Sequence, residues 1–184
     1  MLSHGHRPDC LLLLRVYDGA VLGAEAVVFC TVASPIGELL LARSDAGLRG
    51  LWVGDERAPD ASWEADDRPF AAVKGELDAY FAGDLREFSF ALAPPGTPFQ
   101  QAVWAALQEI PYGTTTAYAA LAAGIGRPTA IRAVGAANGA NPLSVIVPCH
   151  RVIGSDGSLT GYGGGLPAKR WLLDHEAHHA CRAR

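Results

Sequence analysis

At 184 residues and 19.3 kDa, with 49% hydrophobic and 18% charged residues, the chain has the composition of an ordinary globular protein, and no stretch reaches the roughly 20 uninterrupted apolar residues that a bilayer span needs. The formal net charge of −4 argues against a nucleic-acid binder until it is divided: from Thr97 onward there are seven basic and four acidic residues (+3), and the first 96 residues hold eight and fifteen (−7). A polyanion therefore has only the second half to bind, although a solvated acidic face accounts for the first half equally well.

Residues 1–26 show neither alternation nor helical spacing and read as a weakly ordered extension. They lack the basic start and small-residue cleavage site of a signal peptide, so the expected location is the cytoplasm. Val27 to Val32, Glu38 to Ala42 and Leu48 to Val53 are short apolar runs separated by the turn compositions Ser34-Pro35-Ile36-Gly37 and Asp45-Ala46-Gly47, which predicts a three-stranded antiparallel meander. After a polar stretch from Gly54 to Arg68, Phe70, Val73, Leu77, Tyr80 and Phe81 recur at helical spacing up to Gly83. Residues 27–93 thus read as a small α/β domain, and 94–96, with two prolines, as a linker.

Residues 97–178 read as a second, mostly helical domain. Thr97-Pro98-Phe99-Gln100 is a helix start with a Thr cap, Pro at the first position and Gln placed for a capping box. Phe99, Val103, Leu107 and Ile110 form the buried stripe of that helix, and Pro111-Tyr112-Gly113 ends it. A second helix is expected from about Thr116 to Ala123, a turn at Gly124-Ile125-Gly126-Arg127-Pro128, and a third helix from Pro128 to about Ala137, the pattern of a helix-turn-helix. A fourth helix, about Pro167 to His175, follows a glycine-rich loop, and 179–184 form a tail.

The four cysteines, Cys10, Cys30, Cys149 and Cys181, are scattered without a CxxC pair, which is poor disulfide or zinc arithmetic. The pairs His4 with His6 and His178 with His179 lie near the termini, where fraying is the simpler reading, so no metal is expected. Chemistry concentrates at Pro148-Cys149-His150-Arg151, at the end of the apolar run Leu143 to Val147. A thiol needs a base to become a useful nucleophile at neutral pH. His150 is at hand, but in extended backbone adjacent side chains diverge, so contact needs a tight turn or a bridging water. The histidine needs a carboxylate in turn, for which Asp174 and Glu176 are the candidates. A buried structural cysteine beside a satisfied histidine remains the bland alternative.

The surroundings are more specific. Thr114 to Ala122, Arg127-Pro128 through Arg132-Ala133-Val134-Gly135, Asn141-Pro142, Pro148-Cys149-His150-Arg151-Val152, Gly161-Tyr162 and Trp171-Leu172-Leu173-Asp174-His175-Glu176 occur in order with matching spacings. Together they resemble the O6-alkylguanine-DNA alkyltransferases, or methylated-DNA–protein-cysteine methyltransferases, over nearly all of residues 97–176. The resemblance implies single-turnover transfer of an alkyl group from O6-alkylguanine in DNA to Cys149. His150 would be the base acting through water, Glu176 the carboxylate orienting it, Asn141 the tie to the active-site turn and Tyr118 the hydroxyl that stabilises the departing guanine. Tyr162 and backbone donors near Gly163 would wall the pocket, while the carbonyls of Cys149 and Val152 read the exocyclic amine. Arg132 would fill the gap left by an extruded nucleotide. Its helix, with Thr129, Ala130, Ala133 and Gly135, would lie in the minor groove of double-stranded DNA, though tight helix packing explains the small residues as well.

No cofactor, metal or membrane partner is implied, and a monomer is the working expectation. Asn138 and Gly139 fall where the family varies near the pocket. The alternatives are a non-enzymatic alkylguanine sensor, a helix-turn-helix transcription regulator in which Cys149 is only core, and a cysteine hydrolase, for which no oxyanion hole is evident.

Overall fold

A computed structural model describes residues 25–54 and 57–181; the expected extension, apart from its last two residues, and residues 182–184 lie outside the described residues. No helix among the described residues is long and apolar enough to cross a membrane.

The acidic half builds a sheet from β1 (Val28–Ser34), β2 (Gly37–Ser44) and β3 (Gly47–Val53), joined as an antiparallel meander. A fourth strand, β4 (Glu64–Ala65), pairs in parallel with β1, giving the order β3-β2-β1-β4 in place of the three strands expected. Two exposed residues carry no alternation, so the sequence had no signal for it. Leu39, Leu40, Leu41 and Ala42 of β2 are all buried, so both faces of the middle strand are covered. Helix α1 (Ala71–Ala82) buries Val73, Leu77 and Tyr80 and ends on Gly83, whose φ of 85° is the left-handed cap that glycine adopts freely.

The second half opens with α2 (Pro98–Gln108), and the Thr97–Gln100 capping box forms in both directions. Two departures from the expected helices follow. Thr116–Ala117 is not helical but forms β5, paired in parallel with β6 (Val152–Ile153), and α3 spans only Tyr118–Gly124. The expected third helix begins later, as α4 (Ile131–Gly139), because Pro128 and Thr129 stay in a turn closed by the Ala130 amide on the Arg127 carbonyl. The last helix, α5 (Gly165–Cys181), outruns its expected end and takes in residues 179–181 of the supposed tail.

One apolar core runs through both halves, from Leu41 and Phe70 to Leu107 and Leu172. The edge of β3 is what joins them. The Leu48 amide donates to the Ala91 carbonyl, the Leu51 amide donates to the Pro142 carbonyl, and the Ser144 amide donates back to Leu51. This sheet edge therefore positions the segment that leads directly into Cys149, and covers an otherwise open edge.

Candidate active site

The run Leu143 to Val147 is buried throughout, yet it is a sequence of turns, not a strand. Val145 has a φ of 72°, the one positive value outside glycine among the described residues. A β-branched residue there is strained, and only surroundings that fix it from several sides keep it so. The Val147 amide closes onto Leu143, and the Cys149 amide onto Val147. A single 3-10 turn, Cys149–Arg151, then places three consecutive side chains in the interior. This is the tight turn that the adjacent Cys149 and His150 require, though their side chains do not bond to each other.

Glu176, on the inner face of α5, collects the turn. Its Oε1 lies 2.9 Å from His150 Nε2 and accepts from Arg151 Nη2 at 2.9 Å and from the Tyr80 hydroxyl at 2.8 Å. Its Oε2 accepts from Arg151 Nε at 2.9 Å and from the Gly113 amide at 3.1 Å. Burial by itself raises the carboxyl's pKa, but the bonds and charges of His150 and Arg151 outweigh it and hold Glu176 well below the ordinary carboxylate range. Burial lowers the pKa of His150, against the pull of Glu176, so a neutral ring is favoured. With Nε2 donating to Glu176, Nδ1 is the basic nitrogen, and it is buried without a partner among the described residues. The alternative carboxylate, Asp174, is exposed on the far side of α5.

Cys149 is 5% exposed. Burial raises its pKa, while a hydrogen bond from Asn141, the positive charge of Lys169 and the backbone amides of Cys149 and His150 pull it back down. Asn141 is tied into the turn at both ends: its amide nitrogen donates to the Val147 carbonyl at 2.8 Å, and its oxygen accepts from the Leu143 amide at 3.0 Å. Cys149 lines a cavity of about 220 Å³ together with Trp52, Asn138, Asn141, Ser144 and Tyr162, and Gly163 forms part of the same wall.

Other expected residues fall around this centre. The Tyr118 oxygen accepts from Thr160 Oγ1 at 3.1 Å, leaving its own hydrogen to be donated elsewhere. Tyr162 stands edge-on to the His150 ring, with centroids 6.4 Å apart. The Val152 carbonyl, expected to read the base, already accepts from Lys169 Nζ at 2.7 Å, so only its second lone pair remains for a ligand. Arg132 and Ala133 are exposed on α4, Gly135 faces the Tyr118 ring, and Thr129 and Ala130 precede the helix instead of lying in it. His178 and His179 lie within α5, with His179 Nδ1 2.9 Å from the His175 carbonyl. His4 and His6 lie outside the described residues, and no group of three or more His, Cys, Asp or Glu among the described residues is placed to hold a metal.

Sequence reasoning gave no role to Arg151, Tyr80 or Lys169. Arg151 also donates to the Ile110 carbonyl at 2.6 Å, tying the turn to the end of α2. Lys169 is fully buried and bonds the Val152 and Thr160 carbonyls, so one cation clamps β6 to the loop before the pocket wall.

Comparison with known proteins gives this geometry a context. Residues 27–94 match the ribonuclease-like domain of 6-O-methylguanine DNA methyltransferase, and residues 98–178 match its DNA-binding domain. The methylated-DNA–protein-cysteine methyltransferase of Mycolicibacterium paratuberculosis is 49% identical over 156 residues, covering 84% of this chain and 94% of that protein. That of Methanosarcina barkeri is 49% identical over 151 residues, covering 80% and 96%. Among solved structures, Mycobacterium tuberculosis OGT in complex with DNA superimposes with a TM-score of 0.79 at 49% identity, covering 83% of this chain and 94% of that one. A structure of the O6-methylguanine methyltransferase of the same organism gives 0.77 with the same identity and coverage. With both halves matched and relatives at this identity covering more than two thirds of its length, the chain belongs to the 6-O-methylguanine DNA methyltransferase family.

Proposed function

We propose that this protein repairs DNA by moving the alkyl group of O6-alkylguanine onto Cys149, once per molecule. The observation that carries this reading is a buried cysteine lining a cavity beside a histidine whose Nε2 is held by Glu176 and whose Nδ1 has no partner among the described residues. The Cys149 proton passes to His150 Nδ1 through an intervening water, and the imidazolium so formed is stabilised by Glu176. Sγ attacks the alkyl carbon, the S–C bond forms, and the C–O6 electron pair leaves with guanine. Tyr118 donates its hydroxyl hydrogen to the departing base, which therefore does not leave as a bare anion. The thioether product has no group in the site that reverses it.

The target atom is inaccessible in a stacked duplex, so the nucleotide is extruded into the cavity. Arg132 on α4 fills the vacated stack, and Thr129, Ala130, Ala133 and Gly135 let the backbone approach the minor groove. Tyr162, Gly163 and Val152 bound the base. Residues 27–93 carry the sheet that braces the site, 97–178 the DNA contacts and the chemistry, and the protein works in the cytoplasm.

Mixing the protein with duplex DNA carrying O6-methylguanine labelled in the methyl group tests this. One label per molecule on Cys149, none on the Cys149→Ala variant, and retained DNA binding by that variant are expected. Label on another residue refutes the acceptor, binding without transfer supports a sensor, and steady release of a soluble product supports a hydrolase.

A further inference from the structure

Two asparagines line the cavity that holds Cys149, and they are in opposite states. Asn141 has both ends of its carboxamide bonded to backbone. Asn138, on α4, is 3% exposed, and its Oδ1 is buried with no partner among the described residues. A buried carboxamide oxygen without a partner is unfavourable, whereas an apolar side chain of the same size would pack there without that penalty. Asn138 and Ser144 both line the cavity that Cys149 lines, so part of its lining is polar.

Whatever is transferred must lie against Cys149 Sγ, and therefore within this lining. We infer that Asn138 is a specificity-determining residue whose carboxamide hydrogen-bonds a polar substituent on O6, so that the pocket favours hydroxyalkyl groups such as 2-hydroxyethyl over apolar groups of equal size such as propyl. A hydroxyl both donates and accepts, so it satisfies the carboxamide whichever way round the amide sits. This rests on the alkyl-transfer reading, and the chemical step is the same: Sγ bonds to the carbon attached to O6, the C–O6 pair leaves with guanine, and the thiol proton goes to His150. The product is S-(2-hydroxyethyl)cysteine at Cys149.

The test is a set of single-turnover transfer rates from one duplex carrying O6-(2-hydroxyethyl)guanine, O6-propylguanine or O6-methylguanine, for the unaltered protein and for Asn138→Leu. One hydrogen bond corresponds to a fall of about three- to tenfold in the hydroxyethyl-to-propyl ratio on substitution. Intrinsic reactivity differs between the substrates but is the same for both proteins, and DNA affinity and any contact of Asn138 with guanine itself are common to both substrates, so all cancel when the two ratios are compared. A ratio that stays the same in Asn138→Leu overturns the inference. If the leucine variant does not transfer methyl, Asn138→Ala is read by the same ratio with the same two outcomes. Absence of methyl transfer by the unaltered protein would instead refute the alkyl-transfer reading itself.

Discussion

Tyr80→Phe isolates the contribution of the first half of the chain to the site. The ring stays, packed against Phe81, Phe88, Tyr112 and His175, and only the hydroxyl that donates to Glu176 Oε1 at 2.8 Å is removed. Burial and the nearby Glu176 push the Tyr80 pKa well above its usual value, so the group donates at any working pH. A hydrogen bond to a charged group contributes about 1.5–3 kcal/mol. His150 and Arg151 remain on the same oxygen, so the carboxylate is not stranded and the lower end applies, about 1.5 kcal/mol. For a chain of this size that corresponds to a fall in Tm of roughly 3–6 °C, read by calorimetry or urea unfolding. The same change leaves more negative charge for His150. The groups facing that ring are Glu176 and Lys169 from α5, Arg151 from the turn and Tyr162 from the pocket wall; of these only Glu176 is altered. The imidazolium is then better stabilised, the His150 pKa rises, and the acid limb of the transfer rate moves to higher pH. A stability loss below about 0.5 kcal/mol together with an unmoved acid limb would refute the coupling of Tyr80 to Glu176 and His150.

Three further outcomes follow from the same contacts. Arg151→Ala, which strips three donors from Glu176 and the Ile110 carbonyl, should cost about 3–5 kcal/mol in urea unfolding, and Arg151→Lys should not restore it because the ammonium lacks the fork that spans both carboxylate oxygens. Gly164→Ala places a Cβ 2.6 Å from that of Val53, so the loop must move off β3; a loss of about 1–3 kcal/mol and slower transfer from duplex DNA are expected. Acidification should destabilise the protein in two successive windows. His150 has its folded pKa lowered below 6.5, so stability falls from there downward as the unfolded chain takes up the proton first. Glu176 has its folded pKa lowered from 4.5, so its contribution is full above that value and is lost as pH drops through the folded one. A urea midpoint that holds level from about pH 7.5 to about pH 5 would contradict the His150 assignment, and one that holds level from about pH 4 to about pH 2 would contradict the Glu176 assignment.

What the sequence made legible was local. The Thr97–Gln100 capping box, the Gly83 stop and the strand runs of β1 to β3 depend on neighbours within a few residues, and they appear as read. Cys149, His150 and Glu176 came from ordered motifs, which carry spacing information that periodicity does not. The misses are long-range. Tyr80 reads as one apolar position in a helical stripe, and its tie to Glu176 spans 96 residues. Lys169, His175 and Glu176 share the buried face of α5 with Ala168 and Leu172, and an apolar stripe gives no signal that three polar side chains join it. Thr116–Ala117 looks like the start of a helix until a partner strand 36 residues later claims it. Arg151 had one usable signal: a fixed cation directly after a buried Cys-His pair needs an anion, and the Glu176 already sought for His150 serves both.

The bonds between the β3 edge and residues 142–144 bear on how the molecule comes apart. Sequence families divide the chain near Pro95, but the Leu51 pairing, the shared core and the Tyr80 hydroxyl all cross that line. Separating the halves would uncover the β3 edge, expose core side chains on both pieces and remove a donor from Glu176 in one step. Melting is therefore a single cooperative event, with one calorimetric peak whose van't Hoff and measured enthalpies agree, and not two domain transitions. A hinge at the proline linker has nothing to swing: the protein meets its substrate as one rigid body, and the distortion needed to reach the buried sulfur falls on the nucleic acid.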